Sequence, residues 1–333
     1  MTEPIEKQAD PLNYSPSRFS VAPMLDWTDR HCRFFHRLMT QKSMLYTEMV
    51  HSGAILFGER NRFLDFSKEE HPLALQLGGS DPDQLAEAAK IAEDHGFDEI
   101  NLNVGCPSDR VQNGSFGACL MLTPQKVADC IQSMKQAVSI PITVKCRIGV
   151  DEQNTEEALD TITRLCIESG SDGIIVHARK AWLKGLSPKE NRDIPPLDYD
   201  RVYRLKQQNP LLFISINGGV RTLEETKQHL KYVDGVMMGR QAYQSPIQLL
   251  KIDHEIFGST SPFQNGKEVL EALNPYIEEQ TGAGVPLHAI TRHVLGLFNG
   301  QRGARLFRQH LSQNAHKDNA GNTTLHEAMQ FLE

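Results

Sequence analysis

Cys106 occupies an unusual place for a cysteine, between Gly105 and Pro107 at the end of an alternating apolar run. Glycine permits backbone conformations that other residues avoid, and proline fixes the direction in which the chain leaves the turn. A cysteine that only fills a core needs no such setting. A thiol with the ordinary pKa of about 8.5 is mostly protonated at neutral pH, so it can donate a proton as readily as it can attack. The pattern indicates a reactive thiol on a loop.

Lys145 is a second candidate, because it lies within the β-branched run of residues 142–148. A charged side chain in such a strand needs a negative partner or a ligand. Two chemistries fit: a Schiff base with a sugar phosphate, as in an aldolase, or stabilisation of the anionic form of a reduced flavin. A salt bridge without a catalytic role is the plainer third interpretation.

Glycines follow two later apolar runs, as Gly218-Gly219 and as Gly239 before Arg240. Such turns let backbone N–H groups approach an anion before a helix begins, and Arg240 adds a full charge. A single glycine-containing turn of this kind more often serves only to make the chain turn tightly. Two such turns, one after each of the last two strands of a βα barrel, are typical of a phosphate site.

Gln76 and His177 stand at the ends of two other apolar runs. An amide at position 76 can hydrogen-bond the edge of a planar heterocycle, although a glutamine satisfied within the protein is the plainer interpretation. His177 can donate to a phosphate, a ring or a substrate. Their convergence with the other polar groups favours a shared site.

The elements that must position these residues alternate between short apolar runs and helical patterns from about residue 19 to 250. This alternation predicts repeated βα units around a parallel sheet. Eight units predict a closed TIM (β/α)8 barrel, in which reacting groups lie where the strands end. The predicted strands cover residues 19–25, 44–50, 73–78, 99–104, 142–148, 173–178, 213–217 and 235–239.

Beyond the barrel the pattern becomes helical without strands, with helices predicted at residues 266–279, 286–298, 302–313 and 324–332. We therefore predict three parts: an N-terminal extension over residues 1–17, a barrel domain over 18–255 and a small helical domain over 265–333. A segment rich in glycine, serine and proline, residues 257–266, predicts the linker between the last two.

The formal net charge of -7 argues against nucleic-acid binding by the whole surface, but the charge is uneven. Residues 281–316 contain no Asp or Glu, and Arg302, Arg305 and Arg308 recur every three residues, so we predict a basic helical face that can contact phosphates. The segment of residues 179–192 has five basic residues against Glu190, with Trp182 available for stacking.

Six cysteines occur without the spacing of a zinc site or a disulfide framework, so we expect reduced thiols and no metal. The N-terminus lacks the features of a signal peptide, and no apolar run is long enough to span a membrane. These features predict a cytoplasmic protein.

Several of these residues fall within longer motifs, which together cover roughly residues 18 to 310. They are Ala22-Pro-Met-Leu-Asp-Trp-Thr-Asp29, Leu75-Gln-Leu-Gly-Gly79, Asn101-Leu-Asn-Val-Gly-Cys-Pro107, Gly114-Ser-Phe-Gly-Ala118, Val144-Lys-Cys-Arg-Ile-Gly149, Val176-His-Ala-Arg-Lys-Ala-Trp182, Asn217-Gly-Gly-Val220, Gly239-Arg240 and Gly303-Ala-Arg305. With these motifs the chain resembles the tRNA-dihydrouridine synthases, in particular their bacterial A-type branch.

The resemblance implies an FMN enzyme that takes hydride from NADPH and reduces the C5–C6 double bond of uridines in the tRNA D-loop, at tRNA positions 20 and 20a. It implies hydride transfer from flavin N5 to uracil C6, with Cys106 protonating C5. The implied flavin contacts are Pro23, Met24, Leu25, Gln76, Lys145, His177, Asn217, Gly218, Gly219, Gly239 and Arg240. The implied tRNA contacts are Asn103, Lys189, Arg192, Arg305 and Arg308.

Three other functions stay open at this point. The chain could be a flavin reductase of a small molecule such as a dihydroorotate-type substrate, or an aldolase that uses Lys145. It could also be an RNA-binding module without catalytic activity. A flavin absorption spectrum would exclude the last two, and tRNA-dependent reoxidation of the flavin would exclude the first.

Overall fold

The computed structural model describes residues 16–108 and 114–332, so most of the predicted N-terminal extension lies outside the described residues. Eight parallel strands form a closed barrel in chain order, and the last strand pairs with the first. The strands are β1 Phe19–Val21, β2 Met44–His51, β3 Leu73–Gly78, β4 Glu99–Val104, β5 Ile142–Arg147, β6 Gly173–His177, β7 Phe213–Asn217 and β8 Gly235–Met238. The predicted TIM barrel is confirmed.

The first strand is shorter than the predicted span of residues 19–25, because the chain turns after Val21. Pro23 has no N–H to donate to a neighbouring strand. The carbonyl of Met24 accepts hydrogen bonds from the N–H groups of Trp27 and Thr28, and Asp26 takes a positive φ of 64°. The residues after Val21 therefore form a compact loop at the carboxyl end of the barrel.

The helices of the barrel begin and end at the signals in the sequence. Asp81 caps one of them by accepting a hydrogen bond from Gln84 N, Pro82 follows in its first turn, and Gly96 ends it with a φ of 103°. The helices of this part of the chain are α1 Arg30–Met39, α2 Ser52–Phe57, α3 Arg60–Leu64, α4 Pro82–His95, α5 Pro124–Ala137, α6 Thr155–Glu168, α7 Tyr199–Gln208, α8 Leu223–His229, α9 Arg240–Gln244 and α10 Ile252–Phe257.

The interior of the barrel is partly apolar and partly polar. A small buried apolar cluster inside it, separate from the larger core, consists of Ala22, Met44, Tyr46, Ala74, Ile175 and Met237. Because side chains alternate between the two faces of a strand, the residues between these positions pack outward against the helices. On β4 and β5 the inward positions are instead polar, beginning with Glu99 and Thr143, which are both buried.

The C-terminal part contains α11 Gly266–Gly282, α12 Leu287–Thr291, α13 Ala304–Asn314 and α14 Asn322–Met329. The helix predicted at residues 286–298 is wrong beyond Thr291, since residues 292–300 form turns. Gly300 and Gly303 take φ values of 83° and 82°, which a right-handed helix does not contain. Arg302 consequently precedes α13 and does not share its face with the two later arginines.

Contacts at the start of α1 and at the end of α9 help to join the barrel to the C-terminal helices. Asp29, which caps α1, forms ion pairs with Arg292 at 2.5 Å and with His293 at 3.0 Å. At the end of α9, the carbonyl of Gln244 accepts a hydrogen bond from Asn299 Nδ2 at 2.5 Å, and Gly296 packs against the same backbone. None of the described helices is both long enough and apolar enough to cross a bilayer.

Candidate active site at the barrel mouth

The loop after β4 holds Cys106 in a defined position. Asn103 Oδ1 accepts hydrogen bonds from the N–H groups of Gly105 and Cys106, at 3.1 and 3.0 Å. The carbonyl of Cys106 accepts another from Ala118 N at 2.9 Å. A Cβ at Gly105 would lie 3.3 Å from the Lys145 carbonyl, so the glycine permits a close approach to β5. The thiol is partly buried, with its sulfur 3.5 Å from Ser108 Oγ.

Positive charges surround this thiol. Lys145, Arg147 and Arg192 all lie close enough for a charge at Cys106 to affect their pKa values. Burial, followed by the charge of Arg147, lowers the pKa of Lys145 to about 8. Within the described part of the chain, the Lys145 ammonium has no hydrogen-bond or ion-pair partner. A half-buried cation without a partner among the described residues favours an anionic or polar ligand at this place.

Arg147, the last residue of β5, joins the loops after β4 and β6 at the mouth and was not among the predicted site residues. Its Nε donates to the Gly105 carbonyl at 3.2 Å, and its Nη1 donates to the carbonyls of Lys180 and Asn191 at 3.1 and 2.9 Å. Burial lowers its pKa to about 10, so it stays charged at neutral pH. Its position two residues after Lys145 on the same strand places both side chains on one face, a signal that could have identified it.

Gln76 and Asn103 are linked to each other inside the barrel. Asn103 Nδ2 donates to Gln76 Oε1 at 2.8 Å, and Gln76 Nε2 donates to Asn101 Oδ1 at 2.7 Å. All three amides are buried. The predicted flavin contact of Gln76 and the predicted tRNA contact of Asn103 stay predictions, and each side chain retains one amide hydrogen beyond these bonds.

The glycines after β7 let neighbouring side chains lie directly against their backbone. Gly218 and Gly219 have φ values of 108° and 73°, and a Cβ at Gly218 would lie 2.7 Å from the His177 ring. Burial, then the charges of Arg147 and Lys145, lower the pKa of His177 well below its ordinary value, so the imidazole is neutral at physiological pH. Next to the glycines, Asn217 Nδ2 donates to the Met237 carbonyl at 2.8 Å.

Arginines gather beside these glycines. Arg240 pairs with Asp193 at 2.6 Å, and its charge interacts with those of Arg179 and Arg192. Arg179 donates through Nη1 to the Pro195 carbonyl, whereas its buried Nε has no partner within the residues described. Three guanidinium groups near one carboxylate leave a net positive charge, which suits a phosphate.

The contacts of the other predicted residues do not test their predicted roles. Pro23 and Met24 are partly buried in the loop after β1, and the next residue, Leu25, is 61% exposed. Gly239 directly precedes α9. Lys189 and Arg305 are exposed, and no contact between described residues connects either of them to Cys106. Their predicted roles stay predictions.

A family model described as dihydrouridine synthase matches residues 20–333. The chain is 59% identical over 313 residues to the tRNA-dihydrouridine(20/20a) synthase of Vibrio parahaemolyticus, covering 94% of this chain and 96% of the relative. It is 58% identical over 316 residues to the protein of the same name in Escherichia coli K12, covering 95% of this chain and 91% of the relative.

Among solved structures, the chain is similar to a 2-naphthoyl-CoA reductase in complex with 2-naphthoyl-CoA, with a TM-score of 0.53 and 11% sequence identity. The match covers 73% of this chain and 50% of the reductase chain, so the likeness concerns the barrel fold alone. The family match spans nearly the whole chain and agrees with the relatives, and the chain therefore belongs to the dihydrouridine synthase family.

Proposed function

We propose that this protein is an FMN-dependent enzyme that uses NADPH to reduce uridines 20 and 20a in the D-loop of tRNA to 5,6-dihydrouridine, in the cytoplasm. The relatives named above carry this substrate in their names, and they cover nearly all of this chain. The observation that carries the proposal is the arrangement at the mouth: Asn103 holds the backbone of Cys106 beside Lys145, a cation with no partner in the part of the chain that the structure describes.

The residues at the mouth fit the two ends of a flavin nucleotide. The phosphate would lie against the N–H groups of Gly218 and Gly219 and the side chain of Arg240, where the positive φ values and the orphaned Nε of Arg179 leave donors for an anion. Lys145 would contact the ring and favour negative charge on it. The remaining predicted ring contacts are Pro23, Met24, Leu25, Gln76 and His177, with Asn217 and Gly239 towards the phosphate. When bound and reduced by NADPH, the flavin would supply the hydride that reaches uracil C6.

Cys106 would supply the matching proton to C5. The hydride and the proton together saturate the double bond, and the thiolate left on Cys106 takes a proton from solvent before the next turnover. Asn103 and Arg147 hold the loop on both sides of the thiol, by binding its N–H groups and the Gly105 carbonyl. Lys145, Arg147 and Arg192 lie close enough to Cys106 to interact with a negative charge there.

The tRNA would be held by cationic groups outside the mouth. We propose that residues 18–255 form the catalytic domain and residues 265–333 a tRNA-binding domain, with contacts from Asn103, Lys189, Arg192, Arg305 and Arg308. Phosphate contacts by arginine and lysine position an RNA without reading its sequence. A uridine in a loop leaves its stack at lower cost than one in a duplex, which suits a site at the mouth of a barrel.

Three measurements on one preparation test the proposal. The purified protein is expected to show a flavin absorption spectrum, to bleach with NADPH, and to regain its colour faster when tRNA is added. Transfer RNA from cells lacking the protein is expected to carry unmodified uridine at positions 20 and 20a. Expression of the wild-type chain is expected to restore dihydrouridine there. A colourless protein that borohydride traps with a sugar phosphate would favour the aldolase, for which a Lys145 pKa of about 8 is also suitable. A rate of flavin reoxidation that does not depend on tRNA would favour a small-molecule reductase.

A further inference from the structure

A continuous line of hydrogen bonds runs through the barrel interior, from the start of β4 to the loop that carries Cys106. At the lower end, Glu99 Oε1 accepts from Tyr46 Oη at 2.7 Å and from Thr143 Oγ1 at 2.6 Å. Thr143 Oγ1 in turn accepts from Asn101 Nδ2 at 2.9 Å. The line then continues through the amides of Gln76 and Asn103 to the N–H groups of Gly105 and Cys106.

Every bond in this line points the same way. The loop N–H groups can only donate, so Asn103 must face them with its oxygen and pass its own N–H to Gln76. An ionised carboxylate can only accept, and a protonated one still offers an acceptor oxygen, so Glu99 draws the Thr143 hydroxyl proton towards itself. Between these two ends, each amide has only one orientation that satisfies both of its neighbours.

The line therefore determines which groups the site presents. If Asn101 lost its acceptor, its amide would be buried without a partner or would rotate, and Gln76 would no longer be held in one orientation. Gln76 then could present either its oxygen or its nitrogen to the mouth, and Asn103 could no longer hold both loop N–H groups with equal strength.

We infer that Glu99 and Thr143 are positioning residues for this site: through Asn101, Gln76 and Asn103 they fix the amide orientations at the mouth and the loop that carries Cys106. Neither residue touches that loop, and both lie at the opposite end of their strands from it. The expected effect on catalysis rests on the proposed function. The structural link from Glu99 and Thr143 to the Cys106 loop does not.

The test uses Thr143→Val, which removes the hydroxyl and keeps the shape. Hydrogen exchange of the peptide containing residues 105 and 106 is measured in the flavin-free full chain, without tRNA. We expect exchange to accelerate about tenfold in Thr143→Val and to match the parent in Thr143→Ser, which restores the hydroxyl. In the tRNA assay we expect kcat to fall about tenfold in Thr143→Val, with KM for tRNA unchanged.

Thr163→Val is the matched control, because Thr163 is a buried threonine of α6 whose hydroxyl has no partner among the described residues. Equal acceleration in Thr163→Val, or parent-like exchange in Thr143→Val, would overturn the inference. Should Thr143→Val fail to fold, Asn101→Leu interrupts the line at the next link and must give the same acceleration. Because exchange is read without flavin or RNA, an inactive parent would refute the proposed function and leave this result intact.

Discussion

Asn103 Oδ1 accepts a hydrogen bond from the backbone N–H of Cys106, with 3.0 Å between the two atoms. The residue predicted to contact tRNA therefore also supports the residue predicted to react. Its other loop bond, to Gly105 N, makes the asparagine a cap for the turn after β4. Loss of activity in an Asn103 variant would consequently mix two effects, and Cys106 itself is the cleaner position for testing the chemistry.

Cys106→Ala is expected to lower kcat by about 10²-fold or more, because the proton donor is removed. Affinity for FMN and tRNA is expected to stay within about twofold, since the loop is held by backbone groups and by Asn103. The measurement is single-turnover reoxidation of reduced flavin by tRNA, together with binding of both ligands. Cys119→Ala is the control, because the Cys119 thiol instead donates to the carbonyl of Phe116, three residues earlier in the chain. Unchanged dihydrouridine formation by Cys106→Ala would refute the assignment.

Lys145→Met is expected to stabilise the flavin-free protein while weakening flavin binding. The folded-state pKa of Lys145 is lowered to about 8, so the charged side chain destabilises the fold below that pH, and the penalty fades as the pH rises towards 10.5. We expect the free energy of unfolding to rise by about 2 kcal/mol at pH 7 and by only about 0.5 kcal/mol near pH 10.

Urea unfolding of flavin-free protein at the two pH values measures this difference. Lys90→Met, on the exposed face of α4, is the control and is expected to change little at either pH. A destabilised Lys145→Met at pH 7 would mean that the ammonium has a favourable partner in the free protein.

Gly218→Ala is expected to lower FMN affinity at least about tenfold, because the new Cβ would meet the His177 ring at 2.7 Å and stand where the phosphate would approach. Gly258→Ala separates this effect from backbone strain, since Gly258 also has a positive φ, of 66°, but nothing lies within 4 Å of its added Cβ. Flavin fluorescence on titration measures the affinity. Equal losses in the two variants would assign the effect to strain alone.

Arg305→Ala and Arg308→Ala are each expected to weaken tRNA binding and to reduce the slope of log affinity against log salt by about 0.7 to 0.9. Reduction of flavin by NADPH is expected to proceed as in the parent. Arg164→Ala offers a matched control, because Arg164 is exposed on α6 and pairs with Glu168. Salt slopes that are identical in all three variants and the parent would exclude this face from the RNA contact.

Asp29→Asn tests the junction between the barrel and the C-terminal helices. Burial alone would raise the pKa of Asp29, but hydrogen bonds and charges from His293 and Arg292 lower it below its ordinary value. This carboxylate therefore stabilises the fold above about pH 4, and the contribution is lost as the pH falls towards the lowered pKa. We expect Asp29→Asn to cost about 2 kcal/mol at pH 7 and progressively less below pH 4.

Asp81→Asn is the matched control, because Asp81 caps α4 by the same kind of hydrogen bond without an ion pair among the described residues. Asparagine caps helices as well as aspartate does, so this variant is expected to lose little at any pH. Unfolding followed by circular dichroism gives both values. A similar loss in the two variants would assign the effect to helix capping.

The barrel could be predicted from the sequence because each βα unit repeats a local pattern, and seven of the eight strands lie within one or two residues of their predicted bounds. Helix α12 was predicted too long because apolar spacing continues through residues 292–298, although the glycines beyond them require turns. The local sequence pattern identifies helices and strands well. It locates the end of an element less well when the residue that ends it lies several positions further along the chain.

The candidate site divides in the same way. Cys106 and Lys145 stand out within their own sequence segments, whereas the hydrogen bond between Thr143 and Glu99 joins residues that are 44 positions apart in the sequence. Alternation shows that both side chains face inward, but the register between β4 and β5 decides which of them meet. A single sequence does not contain that register, so the polar line inside the barrel could not have been predicted.

Helix α9 connects two ends of the proposed activity, since Arg240 begins it and the Gln244 carbonyl that ends it receives Asn299 and the bare backbone of Gly296. A helix of five residues thus separates Arg240, which we propose to bind the flavin phosphate, from the carbonyl that contacts the segment leading to α13. Under the proposed function, reshaping residues 296–299 would move α13 relative to Arg240 and would change which nucleotide reaches Cys106, without changing the residues that react. The proposed choice of nucleotide and the proposed chemistry of reduction therefore depend on different parts of the chain.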